Sequence, residues 1–206
     1  ETRITNGTAH QTAPAVDGSR IVWQDMRSGN SEIYLYDLDT LTETLITPGV
    51  PGVNKHYPAI AGNLVVWQDD RNNPSRSDIF MNDTATNTVS LLTPGLPASS
   101  QMKPAISGTR VVWKDEQVTS RGTIVMNDTS SSLMSRIDNG PSTAGKNRPV
   151  IAGTRIVWLD SRNRSPAFYD IYMNNTATGQ NIRITTGDAQ IQPWQDEGIG
   201  YAVIGP

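Results

Sequence analysis

Hydrophobic positions along this chain come in short bursts separated by polar turns, not in long stripes. One burst reads Pro58-Ala59-Ile60-Ala61, breaks at Gly62-Asn63, and resumes as Leu64-Val65-Val66-Trp67-Gln68-Asp69. Near-copies begin at Pro14, Pro104 and Pro149, and a degraded copy begins at Pro193. β-Branched and aromatic runs bounded by Gly, Asn, Asp and Pro predict strands joined by tight turns. No window carries convincing helical periodicity. Within a repeat the pattern predicts a first strand over Pro58–Ala61, a turn at Gly62-Asn63 and a second strand over Leu64–Gln68. A polar loop over Asp69–Ser77, a third strand over Asp78–Asn82 and a fourth over Val89–Thr93 follow. The second-strand counterparts are Arg20–Gln24, Arg110–Lys114 and Arg155–Leu159. The third-strand counterparts are Glu32–Tyr36, Thr123–Asn127 and Asp170–Asn174. Those of the fourth are Thr44–Thr47, Met134–Ile137 and Asn181–Thr185.

The repeat prolines are 44, 46, 45 and 44 residues apart, and Trp23, Trp67, Trp113 and Trp158 keep the same step. Four short strands at such a period are the blade of a β-propeller. A parallel β-helix is the alternative, but its coils are shorter and its strands do not meander through hairpins. The expected fold is therefore all-β: one domain over residues 1–206, a five-bladed propeller of four-stranded blades. Glu1–Thr5 resembles Asn181–Thr185, so the closing blade is expected to combine this N-terminal strand with residues 193–206, including a strand over Ile199–Ile204. Five repeats require roughly 225 residues and the chain has 206. The closing blade is accordingly expected to lack one strand, to be completed by another chain, or to be truncated. Glu1 opens directly on repeat-like sequence, the expectation for a mature or excised form.

Composition narrows the partners. A net charge of -3 and a sequence pI of about 5.3 argue against nucleic acid, whose binders carry a basic stripe. No apolar run approaches the roughly 18 residues of a membrane span. Cysteine is absent, which excludes a disulfide scaffold, thiolate metal sites and a cysteine nucleophile. Abundant Thr, Ser, Asn and Gly with scarce Lys suit short strands and many turns, and are common in exported surface proteins.

The repeat resembles the TolB-type propeller blade, whose pattern runs from a Pro-small-apolar start through a Gly turn and an aromatic strand to Asp-x-Arg and (Asp/Glu)-Ile-Tyr. Here it reads Trp23-Gln24-Asp25-Met26-Arg27 with Glu32-Ile33-Tyr34, and Trp67-Gln68-Asp69-Asp70-Arg71 with Asp78-Ile79-Phe80. A third version is Trp158-Leu159-Asp160-Ser161-Arg162 with Asp170-Ile171-Tyr172. The third blade departs: Asp115-Glu116-Gln117 lacks the arginine, and Thr123-Ile124-Val125 lacks the acid and the ring. The resemblance implies a fold more than a function, because such blades occur in periplasmic translocation factors, peptidase companion domains and bacterial and archaeal surface proteins. The wording of the repeats is most like propeller modules of methanogen cell-surface proteins.

Two readings meet at the repeated Trp, Asp and Arg. Structurally, each Trp packs between neighbouring blades, each Asp caps the loop after it, and Asp25, Asp69 and Asp160 pair with Arg27, Arg71 and Arg162. Functionally, the same residues form a ring-shaped binding site. A feature repeated in every blade usually builds the blade. Residues just before each repeat proline differ between blades, and propeller order places them around the channel mouth. They include Ala13, Met102 and Ile191, and, as candidate ligand contacts, Lys55, His56, Tyr57, Lys103, Asn147, Arg148 and Gln192. Lys55, His56, Lys103 and Arg148 would make the mouth mildly cationic, suited to an anionic, sugar-like or peptide ligand. Clean Asn-x-Thr sequons stand at Asn6, Asn82, Asn127 and Asn174; they read either as turn chemistry or as N-glycosylation of an exported protein.

Catalytic signals are thin. His10 and His56 lack a metal-ligand spacing, and neither a Gly-x-Ser-x-Gly elbow nor a glycine-rich phosphate loop occurs. The Asp/Asn-rich stretch Asp69–Asp78 lacks the EF-hand pattern. No catalytic residue, metal or cofactor is assigned. The expectation is a non-enzymatic extracellular structural or interaction module, at the cell surface or in the periplasm of a Gram-negative host. It would self-assemble or bind a protein partner through propeller edges as a surface, sheath or fibre building block. The alternative is a carbohydrate- or peptide-binding propeller using the channel mouth.

Overall fold

The structure is a computed structural model that describes residues 1–47, 52–94, 99–116, 121–163 and 168–185. These residues belong to two compact units, Glu1–Pro94 and Gly95–Pro206. Gln192, Ile191, the repeat at Pro193 and the strand expected over Ile199–Ile204 lie outside the described residues.

In the first unit, blade one is β1 (Gln11–Asp17), β2 (Arg20–Asp25), β3 (Glu32–Asp37) and β4 (Thr42–Leu45). Blade two is β5 (Lys55–Ala61), β6 (Leu64–Asn73), β7 (Arg76–Asp83) and β8 (Thr88–Leu91). In the second unit, blade three is β9 (Gln101–Ser107), β10 (Arg110–Asp115), β11 (Thr123–Asp128) and β12 (Leu133–Arg136). Blade four is β13 (Lys146–Ala152), β14 (Arg155–Asp160), β15 (Asp170–Asn175) and β16 (Gln180–Arg183). Each blade is an antiparallel meander in chain order. The first hairpin of each blade turns on a glycine with φ near +55°, at Gly18, Gly62, Gly108 and Gly153, where any other residue would be strained.

Alternation along the strands sends residues to two faces of each blade. In the first unit, Val22, Ile33, Leu35 and Ile46 of blade one pack with Ile60, Val65, Trp67 and Phe80 of blade two in one core. In the second unit, Val112, Ile124 and Ile137 of blade three pack with Ile156, Trp158 and Tyr172 of blade four. The face that meets the next blade is called trailing, and the face that meets the preceding one leading. Trp67 and Trp158 thus lie on leading faces. Trp23, Trp67, Trp113 and Trp158 are all buried, and each large ring contributes a few kcal/mol of burial.

The first strands differ from expectation. They begin three residues before the repeat proline, at Gln11, Lys55, Gln101 and Lys146, so the residues before the proline are strand and not loop. Proline breaks the ladder by lacking an N–H, and the register shifts there, between Thr12 and Ala15, His56 and Ala59, and Asn147 and Val150. The residue before each proline takes up the bulge with a positive φ: Ala13 49°, Tyr57 52°, Lys103 54° and Arg148 49°. Glu1–Thr5, expected as an outer strand of the closing blade, pairs with no strand among the described residues, and the segment it was expected to join lies outside them.

Candidate functional site

The loop after the second strand carries the most elaborate side-chain cluster, and it recurs. In blade two, Trp67 Nε1 donates to Asp69 Oδ2 at 2.8 Å, and the Arg71 backbone N–H donates to Asp69 Oδ1 at 2.9 Å. Arg71 Nη2 closes on Asp69 Oδ2 at 2.7 Å. The guanidinium lies over the Phe80 ring, 4.3 Å from its centroid, and Phe80 stacks on Trp67 at 6.2 Å. Blade one repeats this with Trp23, Asp25, Arg27 and Tyr34, and blade four with Trp158, Asp160, Arg162 and Tyr172. The carboxylate is wholly buried in each case. Burial alone would raise the Asp25 pKa, but hydrogen bonds from Arg27 and Trp23, with the charge of Arg27, bring it down to about 2. The geometry follows from strand alternation: Trp and Asp two residues apart point to one face, and the partner strand sets the ring opposite the Trp.

Blade three keeps only the frame. Trp113 faces Val125, and its Nε1 is buried without a hydrogen-bond partner among the described residues. Lys114 pairs with Glu116 at 2.6 Å.

A second recurring cluster joins strands three and four. Thr47 Oγ1 accepts from the Ile33 N–H at 2.8 Å and donates to Glu32 Oε2 at 2.6 Å. Thr93 makes the same link between Ile79 and Asp78, and Thr185 between Ile171 and Asp170. Blade three exchanges the two residue types. Thr123 stands where the acid is elsewhere, and Asp138 stands at the threonine position, where its Oδ2 accepts from the Ile124 N–H at 2.8 Å.

These clusters decide the fate of several candidates. Lys55, expected at a cationic mouth, is wholly buried, and its Nζ donates to Glu32 Oε1 at 2.9 Å. Its charge is thus spent between blades one and two, the only low-energy arrangement for a buried ammonium. His56 and Tyr57 remain half-buried on β5. The His56 imidazole is held below its usual pKa by burial, offset in part by Asp70 and Asp69, and its Nε2 is 3.8 Å from Asp70 Oδ2. The Tyr57 N–H donates to Gln24 Oε1 at 2.8 Å. In the second unit, Lys103, Asn147 and Arg148 are half-buried, and Asn147 Oδ1 accepts from the Arg148 N–H at 2.9 Å.

The sequons divide. Asn6 is exposed, whereas Asn82, Asn127 and Asn174 are 1%, 7% and 5% exposed. An attached glycan needs solvent around the amide, so the folded blades do not suit these three as acceptors. The second and third residues of these sequons serve the turn. Asp83, Asp128 and Asn175 accept from the N–H two residues on. Thr84, Thr129 and Thr176 donate their hydroxyls to the carbonyls of Asn63, Thr109 and Thr154.

The Asp69–Asp78 stretch is a hairpin and not an open loop. Its carboxylates bond inward: Asp70 Oδ1 accepts from Ser77 Oγ at 2.7 Å and Asp78 Oδ2 from Asn72 Nδ2 at 2.7 Å. Ser77 gives its proton to a carboxylate while accepting from Gln68, the wrong polarity for a nucleophile that must give it to an imidazole.

No protein-family model matches the chain, and no curated protein matches it. Solved structures do. TolB from Acinetobacter baumannii superposes with a TM-score of 0.66 at 18% identity, covering 92% of this chain and 47% of that one. The β-propeller domain of the Trilobed protease from Pyrococcus furiosus gives 0.59 at 15% identity, covering 86% of this chain and 57% of its own. A puromycin-hydrolyzing peptidase from Mycobacterium tuberculosis gives 0.66 at 13% identity, covering 88% and 29%. The chain has the fold of TolB-like β-propeller proteins, and it spans less than two thirds of the length of each of these neighbours.

The signals for the missed residues were present in the sequence. Acid and hydroxyl are fifteen residues apart in every repeat, and a Lys or Gln stands three before each repeat proline. Neither looks like a site when read alone, because both bonds are made between segments far apart in the chain.

Proposed function

We propose that the chain is a non-enzymatic interaction module of a TolB-like propeller, exported to the cell surface or, in a Gram-negative host, to the periplasm. The observation that carries this reading is where the repeated polar groups go. Trp, Asp, Arg and the acid–hydroxyl pairs, which could have formed a ring of binding groups, are consumed in building blades. What remains to meet partners is the blade periphery. The outer strands β4, β8, β12 and β16 are four residues long and mostly exposed, and such edges readily accept another chain. The reading extends to a five-bladed ring whose closing blade is shared by N- and C-terminal strands, and to assembly into a surface layer, sheath or fibre.

A second reading rests on the bulge before each repeat proline. His56 and Tyr57 sit half-exposed beside a strained backbone position, a feature often kept for a ligand, here a sugar or peptide. Native purification with intact mass measurement and electron microscopy separates the two. A complex or polymer recovered from the cell surface supports the interaction module. A partner-free monomer that binds a glycan or peptide, and loses it in a His56→Ala/Lys103→Ala/Arg148→Ala variant, overturns it for the second reading. A monomer that turns over a substrate overturns both.

A further inference from the structure

The apolar cores between blades do not say which way round two blades should meet. The faces that meet inside each unit are built from Val, Ile, Leu and aromatic rings, and apolar burial is non-directional. Leading could pack on leading, or trailing on trailing, with little change in buried area. Such mispairing and swapping are the characteristic failures of repeat proteins.

The polar residues break this symmetry. Every first strand begins with a hydrogen-bond donor three residues before the proline: Gln11, Lys55, Gln101 and Lys146. Every blade also carries one acid at the junction of strands three and four: Glu32, Asp78, Asp138 and Asp170. Where a unit shows two blades in contact, the donor of the second meets the acid of the first. Lys55 reaches Glu32 at 2.9 Å, and Lys146 reaches Asp138 at 3.5 Å, with both side chains wholly buried. Each acid is also held by groups other than the lysine. Thr47 holds Glu32, and the Ile124 N–H, the Gly140 N–H and Arg136 hold Asp138.

Blade three supplies the decisive comparison. Its acid has moved from the start of strand three to the end of strand four, the hydroxyl has moved the other way, and the lysine of the next blade still meets it. The pairing persists through two different placements of the carboxylate. Stability alone gives a weak reason for this, because a buried ion pair rarely outperforms an apolar one of the same shape.

We propose that these pairs are a polarity key. The donor marks the leading face and the acid marks the trailing face, so that a blade face of this protein accepts only a face of the opposite kind. Back-to-back contact of the two lysine-bearing faces would bury two ammonium groups together, each parted from the carboxylate that now answers it. The key acts within the chain as it folds. It also governs any contact between copies made through blade faces, which must be head to tail.

The test uses the full chain, refolded from denaturant and resolved by size-exclusion chromatography with light scattering. Lys55→Gln keeps a hydrogen-bond donor at the position, the residue type that Gln11 and Gln101 place there in blades one and three, and is expected to refold to the same single species as the parent. Lys55→Met/Glu32→Gln removes both charges while keeping an acceptor for Thr47. It is expected to keep its unfolding midpoint but lose native yield to dimers and larger species. A neutral pair that refolds to the parental species alone overturns the key and leaves the pairs merely structural. Equal misassembly of Lys55→Gln and the neutral pair also overturns it, since the donor would then carry no information. Should the neutral pair fail to fold, Lys55→Met alone takes its place against Lys55→Gln under the same two outcomes.

Discussion

Blades two and three share a backbone plan and differ in almost every polar group around their tryptophans. In blade two, Trp67, Asp69, Arg71 and Phe80 form one bonded stack. In blade three, Trp113 is as deeply buried, yet it faces Val125 and its indole N–H has no partner among the described residues. The sheet, its register and the burial of the ring survive that loss. The apolar frame therefore specifies the blade, and the polar stack is a refinement laid over it. The acid behaves differently: blade three keeps a carboxylate at this place by exchanging the two residue types, with Asp138 accepting from the Ile124 N–H, which marks the carboxylate as a stricter requirement.

Substitutions can break or sharpen this contrast. The largest effect is expected from the rings themselves. Trp67→Ala and Trp113→Ala should each cost about 3–5 kcal/mol in urea unfolding, since both remove a wholly buried aromatic. If only the blade-two variant were severe, the stack and not the frame would carry the blade. Next is Asp138→Thr, which leaves the buried Lys146 ammonium without its carboxylate and should cost about 3 kcal/mol. Adding Thr123→Asp rebuilds the arrangement of the other blades, and a double-mutant cycle should show most of that loss recovered.

A smaller effect separates the two indoles. Trp67→Phe removes the indole's hydrogen bond to a buried carboxylate and should cost about 1–3 kcal/mol more than Trp113→Phe, where no bond is lost. Thermal melts of the two variants side by side would show it. The smallest is a pH effect in blade one. The folded pKa of Asp25, about 2, lies below its ordinary 3.8. The unfolded chain therefore takes up the proton first as pH falls. The contribution of Asp25 is full above pH 4 and is lost between pH 4 and 2. Asp25→Asn should flatten that part of the stability profile; an unchanged slope would mean that other carboxylates set it.

Much of the blade was legible in advance. Pro58, Gly62 and Trp67 at a constant period state the strand plan, and Asp69 with Arg71 two residues on announces their pairing, because partners close in sequence are fixed by strand alternation. The sequon residues were legible too, but only as an ambiguity, since Asn-Asp-Thr suits a turn and a glycan acceptor equally. The misjudged residues are those whose partners are distant. Lys55 read as a mouth cation because Glu32 belongs to another blade, and Tyr57 read as loop because nothing local announces that the ladder starts before the proline.

By itself the sequence determined the repeat: where strands run, where chain direction reverses, and which rings are buried. Those follow from local steric preference and from a two-residue periodicity that any reader of the chain can count. Tertiary structure alone decided which charges are spent and which remain for partners. A buried ammonium is tolerable only where a carboxylate is brought to it across two blades. That meeting depends on the packing of one sheet against the next, a distance that no spacing along the chain records.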